Sequence, residues 1–122
     1  MKRFITYLCG LITGCCIPLA LAQPPVAIAI HGGAGTLSAD KTSAEQARVL
    51  ESTLSAATRA GHKILADGGS SLDAVIMAVS LLESSPHFNA GIGAVFTWDG
   101  RHELDASVMR GDTLAAGAVA GA

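Results

Sequence analysis

Val26-Ala27-Ile28-Ala29-Ile30-His31-Gly32-Gly33-Ala34-Gly35 is the stretch on which the fold turns. Its first half is a short, continuous apolar run, the pattern of a strand buried on both faces, so a strand is predicted over 26–30. Its second half puts three glycines into five positions directly after that strand. There the backbone can reach positive φ and let a ligand approach closely, and loops carrying function often have this character. Gln23-Pro24-Pro25, just before the run, is a stiff extended leader.

Downstream, apolar residues recur at three- and four-residue steps (Ala47, Leu50, Leu54, Ala57, Gly61, Ile64), which predicts an amphipathic helix over Thr42–Asp67. Thr42-x-x-Glu45 and Ser43-x-x-Gln46 both fit a capping box at its start, and Gly68-Gly69 ends it. A second helix is predicted over Ser71–Ser84, with Leu72, Val75, Ile76, Val79 and Leu82 on a broad apolar face and Pro86 preventing continuation. Two consecutive helices of this kind call for something flat to pack against. Ala94–Thr97 and Glu103–Met109 alternate as strands do, and Asp99-Gly100 between them predicts a hairpin. Arg110-Gly111-Asp112 is another turn. Thr113–Ala122 is small and apolar, which fits either a tightly packed strand or a helix entrance. The order of elements predicts an α/β class in the sense of α+β layers, with sheet and helix stacked.

Upstream, Met1–Ala22 reads as an export signal over residues 1–22. Lys2 and Arg3 give the positive start, an apolar stretch is broken by Gly10, Gly14 and Pro18, and Ala20-Leu21-Ala22 is an A-x-A cleavage site. The small and helix-breaking residues favour a cleaved signal over a membrane anchor. A second processing route stays open, because Ile12-Thr13-Gly14-Cys15 resembles a bacterial lipoprotein box in which Cys15 is acylated and retained. Both routes lead out of the cytosol, to a periplasmic or secreted location. Residues 23–122 then remain, and they are read as the N-terminal part of a domain rather than the whole of one.

Composition narrows the partners. Half of the 122 residues are hydrophobic and 15% are charged, a globular profile. Without Lys2 and Arg3, six basic residues face ten acidic ones, and no basic run offers nucleic acid a footprint. Cys9, Cys15 and Cys16 all lie in the leader, so a disulfide framework is not expected beyond it.

Three groups of residues could carry chemistry. In His31-Gly32-Gly33-Ala34-Gly35 successive N–H groups could form an anion-binding nest and His31 could orient a ligand, although on composition alone a tight loop around a buried, hydrogen-bonded His31 is the better explanation. The spacing fits neither the dinucleotide nor the P-loop glycine pattern. Ser84–Gly93, rich in turn residues, could aim carbonyl oxygens inward at a hard cation, or be an ordinary irregular connection. The four histidines with Asp99, Glu103 and Asp105 lack zinc spacing, and His62 is expected to face solvent. Ser70-Ser71, outside any G-x-S-x-G context, is better explained as a helix cap.

Taken together, Ile28–Gly35, Leu81-Leu82-Glu83, Phe88-Asn89-Ala90-Gly91-Ile92-Gly93-Ala94-Val95-Phe96-Thr97, His102-Glu103-Leu104-Asp105-Ala106 and Gly117–Gly121 resemble the plant-type L-asparaginase/isoaspartyl peptidase family. The resemblance runs in order from about Val26 to Ala122. It implies an N-terminal-nucleophile hydrolase fold, an αββα sandwich built from two subunits that autoproteolysis cuts from one precursor, with this chain supplying the front part of the first. It implies a threonine nucleophile at the start of the second subunit, its own amine acting as base. Thr113 follows Asp112, lacks the Gly-Thr cleavage context and matches a non-catalytic position, so the chain is expected to be inactive alone.

Supporting roles carry over to His31, Gly32 and Gly33, which would lie beside the nucleophile, and to Asn89, which would hold its surroundings. The resemblance also implies a structural sodium ion bound by the main-chain oxygens of Leu82, Glu83, Ser85, Phe88, Ala90 and Ile92, and no cofactor for the chemistry itself. The implied substrates are L-asparagine and β-aspartyl dipeptides, and the implied assembly is a dimer of two-subunit units. Glycosylasparaginase, on the same fold, and a non-catalytic remnant or binding module are the alternatives.

Overall fold

A computed structural model describes residues 25–33 and 42–122. The export-signal reading of Met1–Ala22 and the Ala34-Gly35 end of the glycine loop lie outside the described residues. No helix among the described residues is long and apolar enough to cross a membrane.

Helix α1 spans Ala44–Ala66. Of the two overlapping capping boxes, the later one is built: Ser43 is the N-cap, and its hydroxyl accepts the Gln46 N–H at 3.1 Å. At the other end Gly68, at φ +84, enters the left-handed region. The Gly68 N–H then bonds to the Leu65 carbonyl and the Gly69 N–H to the Ile64 carbonyl, a Schellman termination that stops the helix where the glycine pair predicts. Helix α2 spans Ser71–Glu83. Ser70 caps it by accepting the Asp73 N–H at 3.1 Å while its hydroxyl donates to the Asp73 carboxylate at 2.6 Å, so capping is the role of this serine.

The two helices pack on each other through small residues. Ala57, Ala74 and Ala78 are fully buried. Gly61 sits where a methyl would meet Ile28 Cδ1 at 2.6 Å and the Ala74 carbonyl oxygen at 2.8 Å, so only glycine permits this approach of α1 to α2. Leu82 and Phe88 complete the buried cluster, and Ile28, Ile30, Leu50 and Leu54 pack around it.

Residues 26–30 depart from expectation. They are extended, and Ile28 and Ile30 reach the core as a strand's inward side chains would, but no described residue pairs with their backbone, so they form no strand. A strand needs a ladder partner as well as an apolar run.

The predicted hairpin over Ala94–Met109 is also corrected. Its turn is real: the Gly100 N–H reaches the Thr97 carbonyl at 3.0 Å, the Thr97 N–H reaches the Arg101 carbonyl at 2.7 Å, and Gly100 adopts φ +78. The flanking backbone bonds elsewhere, Val95 to the Asn89 side chain and Leu104 to Ala122. The hairpin that forms is one segment later, where β1 (Ala106–Met109) pairs antiparallel with β2 (Ala116–Val119) around the Arg110-Gly111-Asp112 turn. The small apolar tail is therefore a strand.

The register Ala106↔Val119 slips by one residue at the reciprocal Leu104–Ala122 bonds of 3.0 and 3.1 Å. The extra residue on the second strand makes a β-bulge. Gly121, at φ +64, absorbs it, with its N–H held by the Asp105 carboxylate at 3.0 Å. The helices pack on each other rather than on this sheet, which is separated from α2 by an open apolar cleft of about 530 Å³ lined by Val75, Ile76, Val79, Val108 and Val119. The result is an α+β arrangement of two helices and a two-stranded sheet.

Candidate functional site

The loop after α2 is shaped by glycines. Gly91, at φ +53, lies so close to the Glu83 carbonyl that any side chain would collide with it, and Gly93 lies equally close to the Phe88 carbonyl, with the Pro86 carbonyl oxygen 3.0 Å from where a Cβ would stand. A short 3-10 turn over Gly91–Gly93 closes the loop. Asn89 fastens it from the side by accepting the Val95 N–H on its Oδ1 at 2.9 Å. One amide side chain thus fixes the path from the loop into residues 94–97.

This geometry bears on cation binding. Among the six carbonyls named for a sodium ion, those of Leu82, Phe88 and Ala90 accept backbone N–H bonds from Ser85, Ala90 and Gly93. Those of Glu83, Ser85 and Ile92 accept none from the described backbone. A carbonyl oxygen has two lone pairs, so an accepted bond leaves one for a cation, and bare glycine Cα atoms against the Glu83 and Phe88 oxygens keep side chains out. Main-chain oxygens of this kind are the donor type that a hard cation takes.

The second motif meets the first through a ring. His31 is hydrogen-bonded but exposed, not buried as the tight-loop reading has it: its Nδ1 accepts the Gly33 N–H at 3.2 Å, with Gly33 at φ +106, and closes a tight turn. Gly32 is pressed into the core, where a Cβ would stand 3.2 Å from Leu54 Cδ2 and 3.3 Å from Phe88 Cε1. The structure thus brings Gly32 against the residue preceding Asn89. His31 and Asn89 themselves line different hollows. His31 borders one of about 470 Å³ with Glu51, Leu54 and Arg59, whereas Asn89 borders one of about 670 Å³ with Glu83, Val95, Glu103 and Asp105.

Of the third group, His62 is exposed as expected and stands apart from the loop, bordering a hollow with Val26 and Arg59. His102 stacks on Phe96 with ring centroids 4.3 Å apart. Asp99 supports the turn: the Thr97 hydroxyl donates to its carboxylate at 2.6 Å and Arg101 pairs with it at 2.6 Å, and these two neighbours hold its carboxyl below the usual carboxylate range. Sequence reasoning missed the joining role of Phe88 and the bulge that places Asp105. The alternation of glycines at 91 and 93 is the signal pointing to the packed loop, whereas nothing local announces a contact between residues 32 and 88.

A family model described as asparaginase matches residues 24–122, and so takes in the His-Gly-Gly turn, both helices, the carbonyl-lined loop and the hairpin. The isoaspartyl peptidase of Escherichia coli is 58% identical over 94 residues, covering 77% of this chain and 29% of that protein. That of Salmonella typhimurium is 57% identical over 94 residues, 77% of this chain and 30% of its own length. The plant-type L-asparaginase of Pyrococcus abyssi is 52% identical over 96 residues, 79% of this chain and 30% of its own. The chain thus spans about 30% of the length of the curated relatives it matches. On a match of this extent, the chain belongs to the asparaginase family.

Proposed function

We propose that the chain supplies the first part of an exported hydrolase that removes the side-chain amide of L-asparagine and cleaves β-aspartyl dipeptides. The family match over 24–122 carries this reading, and the names of the relatives, isoaspartyl peptidase and L-asparaginase, favour it over glycosylasparaginase. In this reading the helix pair and the hairpin are one portion of an αββα sandwich of the N-terminal-nucleophile type, preceded by a signal at 1–22. The second subunit, cut from the same precursor, covers the cleft between α2 and the sheet, and two such units form a dimer.

The chemistry is amide hydrolysis. A threonine hydroxyl attacks the side-chain carbonyl, its proton passes to the threonine's own amine, ammonia or the amino acid leaves, and water releases aspartate from the ester. This chain's contribution is placement. The His31-Gly32-Gly33 turn presents bare backbone to the reacting centre, and Asn89 holds the adjoining loop to Val95. The main-chain oxygens of Leu82, Glu83, Ser85, Phe88, Ala90 and Ile92 hold a sodium ion, which supplies only positive charge that fixes the loop. Thr113, exposed in the β1–β2 turn with its hydroxyl accepting the Ala115 N–H at 3.4 Å, is given no part in the attack in this reading, because it follows Asp112 and not glycine.

The test reads the source coding sequence beyond the codon for Ala122, then assays ammonia release from L-asparagine and hydrolysis of a β-aspartyl dipeptide by the complete product and by these 122 residues. Turnover by the complete product alone is the expected result. Turnover by the 122 residues would overturn the placement of the nucleophile, and no turnover by either would leave a non-catalytic role.

A further inference from the structure

Two glycine-bearing motifs more than fifty positions apart in sequence touch at a single side chain, that of Phe88. Its ring is buried, 6% exposed, in the cluster with Ala57, Ala78 and Leu82, and the ring edge at Cε1 stands against Gly32. Its backbone belongs to the carbonyl-lined loop: the carbonyl accepts the Ala90 N–H at 2.8 Å and faces the bare Cα of Gly93. A methyl at Gly32 would crowd the ring, and any side chain at Gly93 would strike the carbonyl. Close-packed contacts of this kind transmit displacement instead of absorbing it.

We propose that Phe88 is a positioning residue that couples the Glu83–Val95 loop to the His31-Gly32-Gly33 turn, so that whatever orders the loop also sets the turn. The Asn89–Val95 bond fixes the loop, the loop fixes the Phe88 backbone, the ring bears on Gly32, and Gly32 sets the geometry in which Gly33 donates to His31 Nδ1. The coupling stands on this packing alone. That it serves an amide-hydrolysis centre rests on the hydrolase reading above.

The test uses the full chain, labelled with nitrogen-15, and reads the Gly33 amide far from the change made. Asn89 is exposed, so Asn89→Ala removes the clamp without opening the core. Asn89→Ala is expected to shift the Gly33 resonance and raise its hydrogen exchange by roughly two- to tenfold, the lower part of the range of contact-mediated couplings. In a Phe88→Leu background, which lacks the ring edge, the same change should leave Gly33 unmoved. Coupling is also reciprocal. Gly32→Ala, which presses on the ring from the other side, should therefore shift the Ala90 and Val95 amides, and this arm keeps the proposal testable if Phe88→Leu does not fold. The proposal is overturned if Gly33 ignores Asn89→Ala while Val95 responds, if the response is equal with Leu at position 88, or if Gly32→Ala leaves the loop amides in place. None of these readings depends on turnover, so loss of the hydrolase reading and loss of the coupling are separate results.

Discussion

The helix pair and the β-hairpin are built on opposite principles. In the helix pair Ala57 and Ala78 are fully buried and the loop after α2 folds Phe88 back against them, whereas every residue of β1 and β2 is exposed. Helices satisfy their backbone internally, so two of them with small facing residues close a core on their own. A two-stranded sheet leaves both edges and both faces open and is marginal without a further layer. The apolar cleft between α2 and the hairpin, bordered by Val75, Ile76, Val79 and Val108, is a face that no described element covers. Contact density therefore predicts that the first region responds strongly to substitution and the second weakly.

The largest expected effect is at the joint of the core. Phe88→Ala should cost about 3–5 kcal/mol, the range for truncating a buried aromatic side chain, read by urea unfolding followed through the helical circular dichroism signal. A loss below 1 kcal/mol would mean that the ring is not part of one cooperative core. Next comes Gly61→Ala, where two effects compete. Alanine favours a helix by about 1 kcal/mol over glycine. The new methyl, however, would stand 2.8 Å from the Ala74 backbone oxygen, and overpacking of this sort costs about 1–3 kcal/mol. We expect net destabilisation in the same unfolding measurement, and a gain in stability would show that α1 and α2 separate freely.

In the hairpin the expected signs and sizes differ. Leu114 sits at φ 59 and is 69% exposed, so it carries left-handed backbone strain with little packing to compensate. Leu114→Gly should strengthen the hairpin by about 0.5 kcal/mol once glycine's extra chain entropy is counted, seen as slower exchange of the Arg110 and Ala115 amides. Faster exchange would mean that the leucine side chain holds the turn.

The smallest effect is of pH. Arg110, paired with Asp112 at 2.6 Å, holds that carboxyl below its ordinary value of 3.8. A depressed folded-state value means that the stabilisation is present above pH 3.8 and is lost as pH falls through the lowered value. Because the pair is exposed, the loss should be confined to the turn: the Asp112 resonance titrates on acidification, and the amides of Ser71 and Leu72 at the start of α2, which border a hollow with the turn, do not follow. A helical response in step with Asp112 would tie the two regions together and break the contrast.

Much of this architecture was legible in the sequence where the signal was local. The Ser43 and Ser70 caps, the Gly68-Gly69 stop and the turn at Gly100 follow from side chains that bond their own backbone or from glycines that alone adopt the left-handed region. Strand pairing was not legible, because a ladder is decided by which distant donors remain free. Asn89 takes the Val95 N–H and Ala122 takes Leu104, so the alternating segments flanking Asp99-Gly100 did not find each other. The candidate site divides in the same way. Its residue types and glycine spacing could be read directly, and the resemblance implied His31, Gly32, Gly33, Asn89 and the carbonyl loop. The separation of His31 and Asn89 into different hollows, joined through one ring, could not be read.

The sequence by itself determined the two helices with their ends, the positions where only glycine fits a turn, and membership of the asparaginase family. Tertiary structure alone decided that 26–30 would be extended with no ladder partner among the described residues, that the hairpin would form around Arg110-Gly111-Asp112, and that Gly32 would rest on Phe88. The physical reason is one of range. Capping bonds and φ preferences act within a few residues, whereas ladder pairing and close packing depend on groups far apart in the chain, whose meeting is fixed only once the core has closed.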